Sequence, residues 1–208
     1  MTDDIISKII DSTKEISPSL GISIQTALKL VPYVGKCYSR VKFNRLNSRV
    51  KAHRNQLQRI GQLRTQELLN ADYINERIFP IVLEQLIEEH EDAKVNFILN
   101  GFENVFIEEK SSESLVLNYF DTLRELRYLD IKRLFYLSSL IEEFNYDSEE
   151  EEAIIFNIDN KLQSLGLIRV EITGITFDGG WERENEMSKD NVKDTSYGKA
   201  FLDFITEN

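Results

Sequence analysis

Between Phe43 and Ile60 the side chains that want a shared surface fall at Phe43, Leu46, Val50, His53, Leu57 and Ile60, a spacing of 3-4-3-4-3. Only a helix gathers such positions into one stripe, because about 3.6 residues complete a turn whereas a strand repeats every two. The stripe is the a/d seam of a heptad pattern, with lysines and arginines on the other faces. It lasts about two and a half heptads, so a short antiparallel pairing inside the chain satisfies it as well as a second copy would. Gly61 weakens the helix locally by ~1 kcal/mol relative to alanine without having to end it.

Helical periodicity continues on both sides. Residues 3–16 place Ile5, Ile6, Ile9, Ile10 and Ile16 on one side, and Ser17-Pro18-Ser19 interrupts them because proline disfavours helix in the residue before it. An apolar segment follows over 20–35 and closes on a turn at Val31-Pro32-Tyr33-Val34-Gly35. Residues 66–89 read as a helix that Pro80 kinks or restarts near Phe79. Residues 91–107 are apolar nearly all round, which places that helix at the centre of a bundle.

From 115 onward the pattern changes. Helices are expected over 115–128, over 130–144 with Asp130 as cap, and over 148–164 with Gly166 as the stop. Leu167 to Ile172 and Gly174 to Phe177 read as strands, with a turn at Asp178-Gly179-Gly180. Residues 182–195 are polar and are expected to form a loop, after which Thr195 or Ser196 caps a last helix carrying Phe201, Leu202, Phe204 and Ile205. Three prolines and nine glycines in 208 residues favour long helices over a turn-rich β fold. The expected fold is mainly α: an N-terminal helical bundle over 1–110, followed by a winged-helix-like α+β domain over 111–208.

Charge is distributed unevenly. The chain carries −11 overall, yet from Lys36 to Arg64 there are nine bases and no acid: Lys36, Arg40, Lys42, Arg45, Arg49, Lys51, Arg54, Arg59 and Arg64. Taking these nine from the 25 bases leaves 16 against 36 acids, so the remainder carries −20 beside a segment of +9. The net charge opposes a protein that coats nucleic acid over most of its surface. The third helix of the C-terminal domain opens Ser148-Glu149-Glu150-Glu151-Glu152, where a DNA reader would need Arg, Lys or Asn. Trp181, beside Gly179 and Gly180, stands at the tip expected of a wing, where tryptophan often anchors a protein contact.

The residue types needed for catalysis are missing or badly spaced. His53 and His90 lie too far apart in sequence for a metal-ligand motif, and no phosphate loop, nucleophile elbow or zincin sequence occurs. Cys37, the only cysteine, has basic neighbours in Lys36 and Arg40 but adjoins an apolar turn, so a buried thiol is expected. One cysteine forms no internal disulfide, and the start of the sequence does not read as a signal peptide, so the expected address is the cytoplasm. The apolar stretch from Leu20 to Val34 is interrupted by Lys29 and Pro32, and it is shorter than the roughly 20 residues needed to span a bilayer. No enzyme, cofactor, metal or small-molecule substrate is indicated.

The run Asn160-Lys161-Leu162-Gln163-Ser164-Leu165-Gly166-Leu167-Ile168, with Thr195-Ser196-Tyr197-Gly198-Lys199-Ala200-Phe201 later, is similar to the end of many bacterial winged-helix domains. That resemblance implies Leu162, Leu165 and Ile168 in the core, Gly166 at the turn, and Thr195, Gly198 and Phe201 returning to the core. Over roughly 20–205 the layout resembles small bacterial proteins grouped with the abortive-infection α family of phage defence. The shared features are the turn at Val31 to Gly35, the basic helix, Lys94 to Gly101, and the helix ending at Leu126 to Asp130.

The expected function is that of a non-enzymatic cytoplasmic accessory or effector protein working through protein contacts, in the context of anti-phage defence that the resemblance implies. Its candidate contact residues are Lys36, Arg40, Lys42, Arg45, Arg49, Lys51, Arg54 and Arg59 on a basic amphipathic helix spanning 36–64, with Glu149, Glu150 and Trp181 in the second domain. A protein partner or a second copy is expected. Two other readings use the same basic segment. One is a membrane-associating effector that lays residues 20–64 on an anionic inner-leaflet surface, peripheral to the membrane. The other is a DNA-binding winged-helix regulator, opposed by the acidic third helix.

Overall fold

Helices α1 (Thr2–Ile16) and α2 (Pro18–Leu30) are separated by Ser17 alone. Pro18 occupies the first position of α2, where its missing N–H costs nothing. The computed structural model describes residues 2–30, 40–66, 69–145, 148–171 and 187–207, with the backbone alone at 2–5, 28–30, 40 and 151–152. The expected turn at Val31 to Gly35, Lys36, Cys37 and Trp181 therefore lie outside the described residues or side chains. The described residues are mainly helical, and no helix among them is long and apolar enough to cross a membrane.

The chain divides into two compact units, Met1–Glu125 with Phe204–Asn208, and Leu126–Asp203. The division falls after the helix expected to open the second domain, not at 110/111. That helix, α7 (Glu113–Glu125), packs on the helices before it, and Val116, Tyr119, Phe120 and Leu123 fill the first unit's core.

Within the first unit the basic segment forms two helices, α3 (Arg40–Ala52) and α4 (Arg54–Arg64), not one helix over 36–64. His53 stands between them at φ −102° and ψ 27°. No proline or glycine accounts for the break. The two halves pack on different neighbours, α3 on α1 and α5 (Phe79–Glu88), α4 on α2 and α6 (Val95–Ile107), and tertiary packing bends the segment at the seam's one polar position. Phe43, Leu46, Val50, Leu57 and Ile60 of the seam are all buried.

The helix expected from 66 starts later. Asn70 Oδ1 accepts the backbone N–H of Asp72 at 2.8 Å, which sets the start of the next helical run. That run passes through a π-helical stretch, Tyr73–Ile78, before becoming α5 at Phe79. Pro80 explains both features. It cannot donate to the turn before it and its ring crowds a carbonyl there, so the ladder widens ahead of the proline and resumes as α helix around it. α6 takes the central place its composition predicts, with Val95, Ile98, Leu99, Phe102, Val105 and Phe106 buried. Phe102 packs on Phe79 and Phe106 with ring centroids 5.5 and 5.3 Å away.

The second unit begins with α8 (Tyr128–Leu137), which ends seven residues short of the expected Phe144. Ser139 at φ 59° and the bond from Leu140 N to Phe135 O turn the chain out of the helix. Asp130 caps in a different role from the one expected: it sits one turn inside and accepts the backbone N–H of Arg127 at 2.8 Å. α9 (Glu149–Ser164) closes as expected on Gly166, whose φ of 69° suits glycine. Leu167 N returns to Leu162 O at 3.0 Å, completing the cap.

Strand β1 (Ile168–Val170) pairs antiparallel with β2 (Val192–Asp194), in the register Ile168 with Asp194 and Val170 with Val192. β2 falls inside the stretch expected to be a loop, because a three-residue strand with a single valine carries no readable alternation. The strand expected over 174–177 lies outside the described residues. Thr195 then opens α10 (Ser196–Ile205), its Oγ1 accepting Gly198 N–H at 2.8 Å and donating to Gly166 O.

Candidate functional site

Four bases of the segment find partners within the fold. Lys42 Nζ lies 2.6 Å from Glu88. Arg45 donates to Glu89 O at 3.1 Å. Arg49, 5% exposed, donates to Leu86 O at 2.7 Å, to Glu89 O at 2.9 Å and to Asp92. Arg59 forks onto Glu103 at 2.9 and 3.1 Å, and Gln56 reaches Asn100 at 2.7 Å. On α4 and α6 the partners climb in the same order, Gln56 with Asn100 and Arg59 with Glu103, whereas the bases of α3 converge on the end of α5, Arg49 reaching back to Leu86 and on to Asp92.

This arrangement answers a helix-end problem. The last carbonyls of α5 have no intrahelical donors, and the negative end of its dipole favours cations. Arg45 and Arg49 supply both needs from a neighbouring helix. The Arg49 guanidinium, bonded to Asp92, holds that carboxyl below its usual range. Burial works to raise Glu89, but the Lys94 ammonium at 2.6 Å and the N–H groups of Glu91 and His90 outweigh it and leave its pKa lowered. His53 is pushed down by burial and then by the Arg49 cation.

Lys51 and Arg54 are the bases of the segment that remain exposed with no ion pair among the described residues. Of the Arg40 side chain nothing is described. The sequence singled out eight bases, and the structure brings Lys42, Arg45, Arg49 and Arg59 together on α5, α6 and the turn between them. His53 lies at the α3–α4 corner and His90 is exposed on the α5–α6 connection. No cluster of three His, Cys, Asp or Glu able to hold a metal occurs among the described residues.

In the second unit the surface of interest is α9. Ile158, Asp159 and Leu162 face inward, so the outward positions follow from the helical repeat. One stripe reads Glu149, Ala153, Phe156, Asn160 and Gln163. Its neighbour reads Glu150, Ile154, Asn157 and Lys161. Each begins with an exposed glutamate and carries one exposed large apolar side chain, Phe156 at 57% and Ile154 at 44%. The helix's one base, Lys161, lies 2.6 Å from Asp130.

The scaffold beneath this face is held by a buried pair: Arg133 of α8 forks onto Asp159 at 2.8 Å through Nε and Nη2. The same guanidinium donates to Met187 O at 2.6 Å. Glu149 and Glu150 stand where the sequence puts them, exposed at the start of α9. Phe156 was missed, although its phase was readable: it lies outside the i, i+4 pattern set by Ile158 and Leu162.

No family model, curated protein or solved structure matches this chain.

Proposed function

We propose that this protein is a non-enzymatic accessory or effector protein whose outward α9 face docks on a protein partner. The observation that carries the reading is a half-exposed phenylalanine on a helix face that starts with two free-standing glutamates and offers no unpaired base. Exposed aromatic side chains ringed by polar groups are typical anchors of protein contacts. The charge of the face commits the partner to a surface with an apolar recess rimmed by lysine or arginine. The order α8, α9, β1, β2, α10 supports a winged-helix-like second domain in which α9 takes the place of the reading helix. Its acidic start would repel phosphate there, which weighs against a DNA-binding regulator. Because Lys42, Arg45, Arg49 and Arg59 have internal partners, a lipid surface would find few free cations on the described part of the basic segment. The resemblance to abortive-infection α proteins supplies the proposed setting, bacterial phage defence in the cytoplasm.

The test places a photo-crosslinking phenylalanine analogue at position 156 in cells, with Asp203 as an exposed control site. A discrete protein adduct at 156 that disappears with Glu149→Lys and Glu150→Lys together, and whose purified partner binds with the same dependence, supports the reading. Crosslinking to nucleic acid, or an adduct indifferent to both reversals, overturns it.

A further inference from the structure

Arg64, at the end of α4, is held differently from the other arginines of the bundle. Its Nη1 donates to Ser19 O and Ser23 Oγ, and its Nη2 donates to Asn75 Oδ1 at 2.6 Å. Ser23 Oγ also donates to Asn75 Oδ1 at 2.9 Å, which places these acceptors together on the Nη1–Nη2 edge of the guanidinium. All of them are neutral. A guanidinium has five N–H donors in a rigid fork, so the Nε–H and one Nη2–H are left, and no acceptor takes them among the described residues.

That second edge is the one the protein uses elsewhere for carboxylates. Arg49 presents Nε and Nη2 to Asp92, Arg59 presents them to Glu103, and Arg133 presents them to Asp159. Arg64 has the same edge and, among the described residues, no carboxylate on it. The partly buried cation is orientated by three acceptors, one from the π-helical stretch and two from α2, so the cost of fixing its rotamer is already met by the fold. Burial pushes its pKa down.

Beside Arg64 lies a cleft of about 320 Å³ whose apolar walls are Ile22, Leu69, Ile74 and Phe106. Ile74 and Phe106 are buried, whereas Ile22 is 59% exposed. A partly buried cation with two N–H donors left, beside a cleft walled by Ser19 and Thr65 as well as by these apolar side chains, suits a carboxylate attached to hydrocarbon. The volume is at the low end of the ~300–1,000 Å³ range of small-molecule sites, which limits the ligand to a short chain or a single apolar residue.

We propose that Arg64 and this cleft bind a small apolar carboxylic acid, its two oxygens on the Nε–Nη2 edge and its hydrocarbon against Ile22, Leu69, Ile74 and Phe106. The site lies in the first unit and is independent of the contact face on α9. The acid is either free and lipid-derived or the carboxyl terminus of a peptide chain; both present the same chemistry.

The test follows the arginine Nε–H resonance of Arg64 in ¹⁵N-labelled full-length protein during titration with sodium octanoate, acetate, octan-1-ol, octylammonium and N-acetylleucine. A saturable shift with octanoate or N-acetylleucine is expected, with acetate at least about tenfold weaker and with the alcohol and the amine inert. Tighter binding of octanoate assigns a free acid, and tighter binding of N-acetylleucine assigns a chain terminus. Arg64→Lys is expected to weaken the acid about tenfold by losing the fork. Ile22→Glu sets a competing carboxylate at the exposed wall and is expected to weaken binding by about tenfold or more while the circular dichroism spectrum stays unchanged. No saturable shift with either acid, equal shifts with octan-1-ol, or wild-type affinity in Ile22→Glu overturns the proposal.

Discussion

Arg49 of α3 donates through Nη1 to the carbonyl oxygen of Leu86, 2.7 Å away, and thereby caps the end of α5 from a different helix. The same side chain covers Glu89 O. Arg49→Ala removes donors from two carbonyls at a helix end, one of them buried, and is expected to destabilise the protein by about 2–4 kcal/mol in urea unfolding. Arg49→Lys recovers only part of this, because one ammonium cannot span both carbonyls and Asp92. A midpoint unchanged in Arg49→Ala would show that the cap contributes nothing.

Charge reversal separates surface bases from structural ones. Lys51→Glu with Arg54→Glu is expected to leave stability within about 0.5 kcal/mol, since both side chains are exposed. Arg45→Glu with Arg49→Glu is expected to unfold the first unit, because two carboxylates would then face the negative end of α5. Loss of any activity in the second pair alone therefore reports folding, and flotation with anionic liposomes should be judged on the first pair. Salt-sensitive flotation that requires Lys51 and Arg54 would revive the membrane reading.

Stability should fall on acidification in two stages. His53 has its folded pKa below the ordinary 6.5, so the unfolded chain takes up that proton first. Its contribution is fully present above pH 6.5 and is lost as the pH falls through the lower folded value. Asp92 and Glu89 are also lowered, from 3.8 and 4.5, so their contributions are complete above those values and are lost as the pH falls through the folded ones. His53→Gln is expected to abolish the first stage and spare the second. An unfolding midpoint flat between pH 7 and 5 in the wild type would contradict this.

The pair Arg133–Asp159 is nearly enclosed in the second unit, with side chains 9% and 3% exposed. Asp159→Ala leaves the guanidinium buried beside no charge and is expected to cost about 3–5 kcal/mol. A double replacement, Arg133→Met with Asp159→Leu, should cost markedly less than the single change, a difference that thermal unfolding can read.

Two glycines of the second unit should differ in the cost of a methyl group. An added Cβ at Gly198 would lie 1.9 Å from Leu167 O, a backbone atom that has no room to move. At Gly166 there is open space, and only the φ of 69° opposes a side chain. Gly166→Ala is expected to cost about 1 kcal/mol and Gly198→Ala distinctly more. The reverse order in chemical denaturation would show that β1 gives way at Leu167.

Sequence patterns of long range and strong period were readable in advance. The seam from Phe43 to Ile60 is buried, the apolar helix of 95–107 is central, and Pro80, Gly166 and Thr195 act near where their backbone chemistry demands. Each of these follows from the chain's own covalent limits: a helical repeat of about 3.6 residues, a missing N–H, a missing Cβ, a hydroxyl beside three free N–H groups. The mainly α character follows from the same sources. Tertiary structure decided where the charges went. Nine bases without an acid read as a surface, because sequence spacing says which face a residue occupies on its own helix and nothing about what that face meets. The acidic partners stand some 44 positions away, and only the packing of α3 and α4 on α5 and α6 brings Arg49 to Leu86 and Arg59 to Glu103. The same limit hid the open edge of Arg64, which depends on a serine from α2 and an asparagine from a π-helical stretch meeting at one guanidinium.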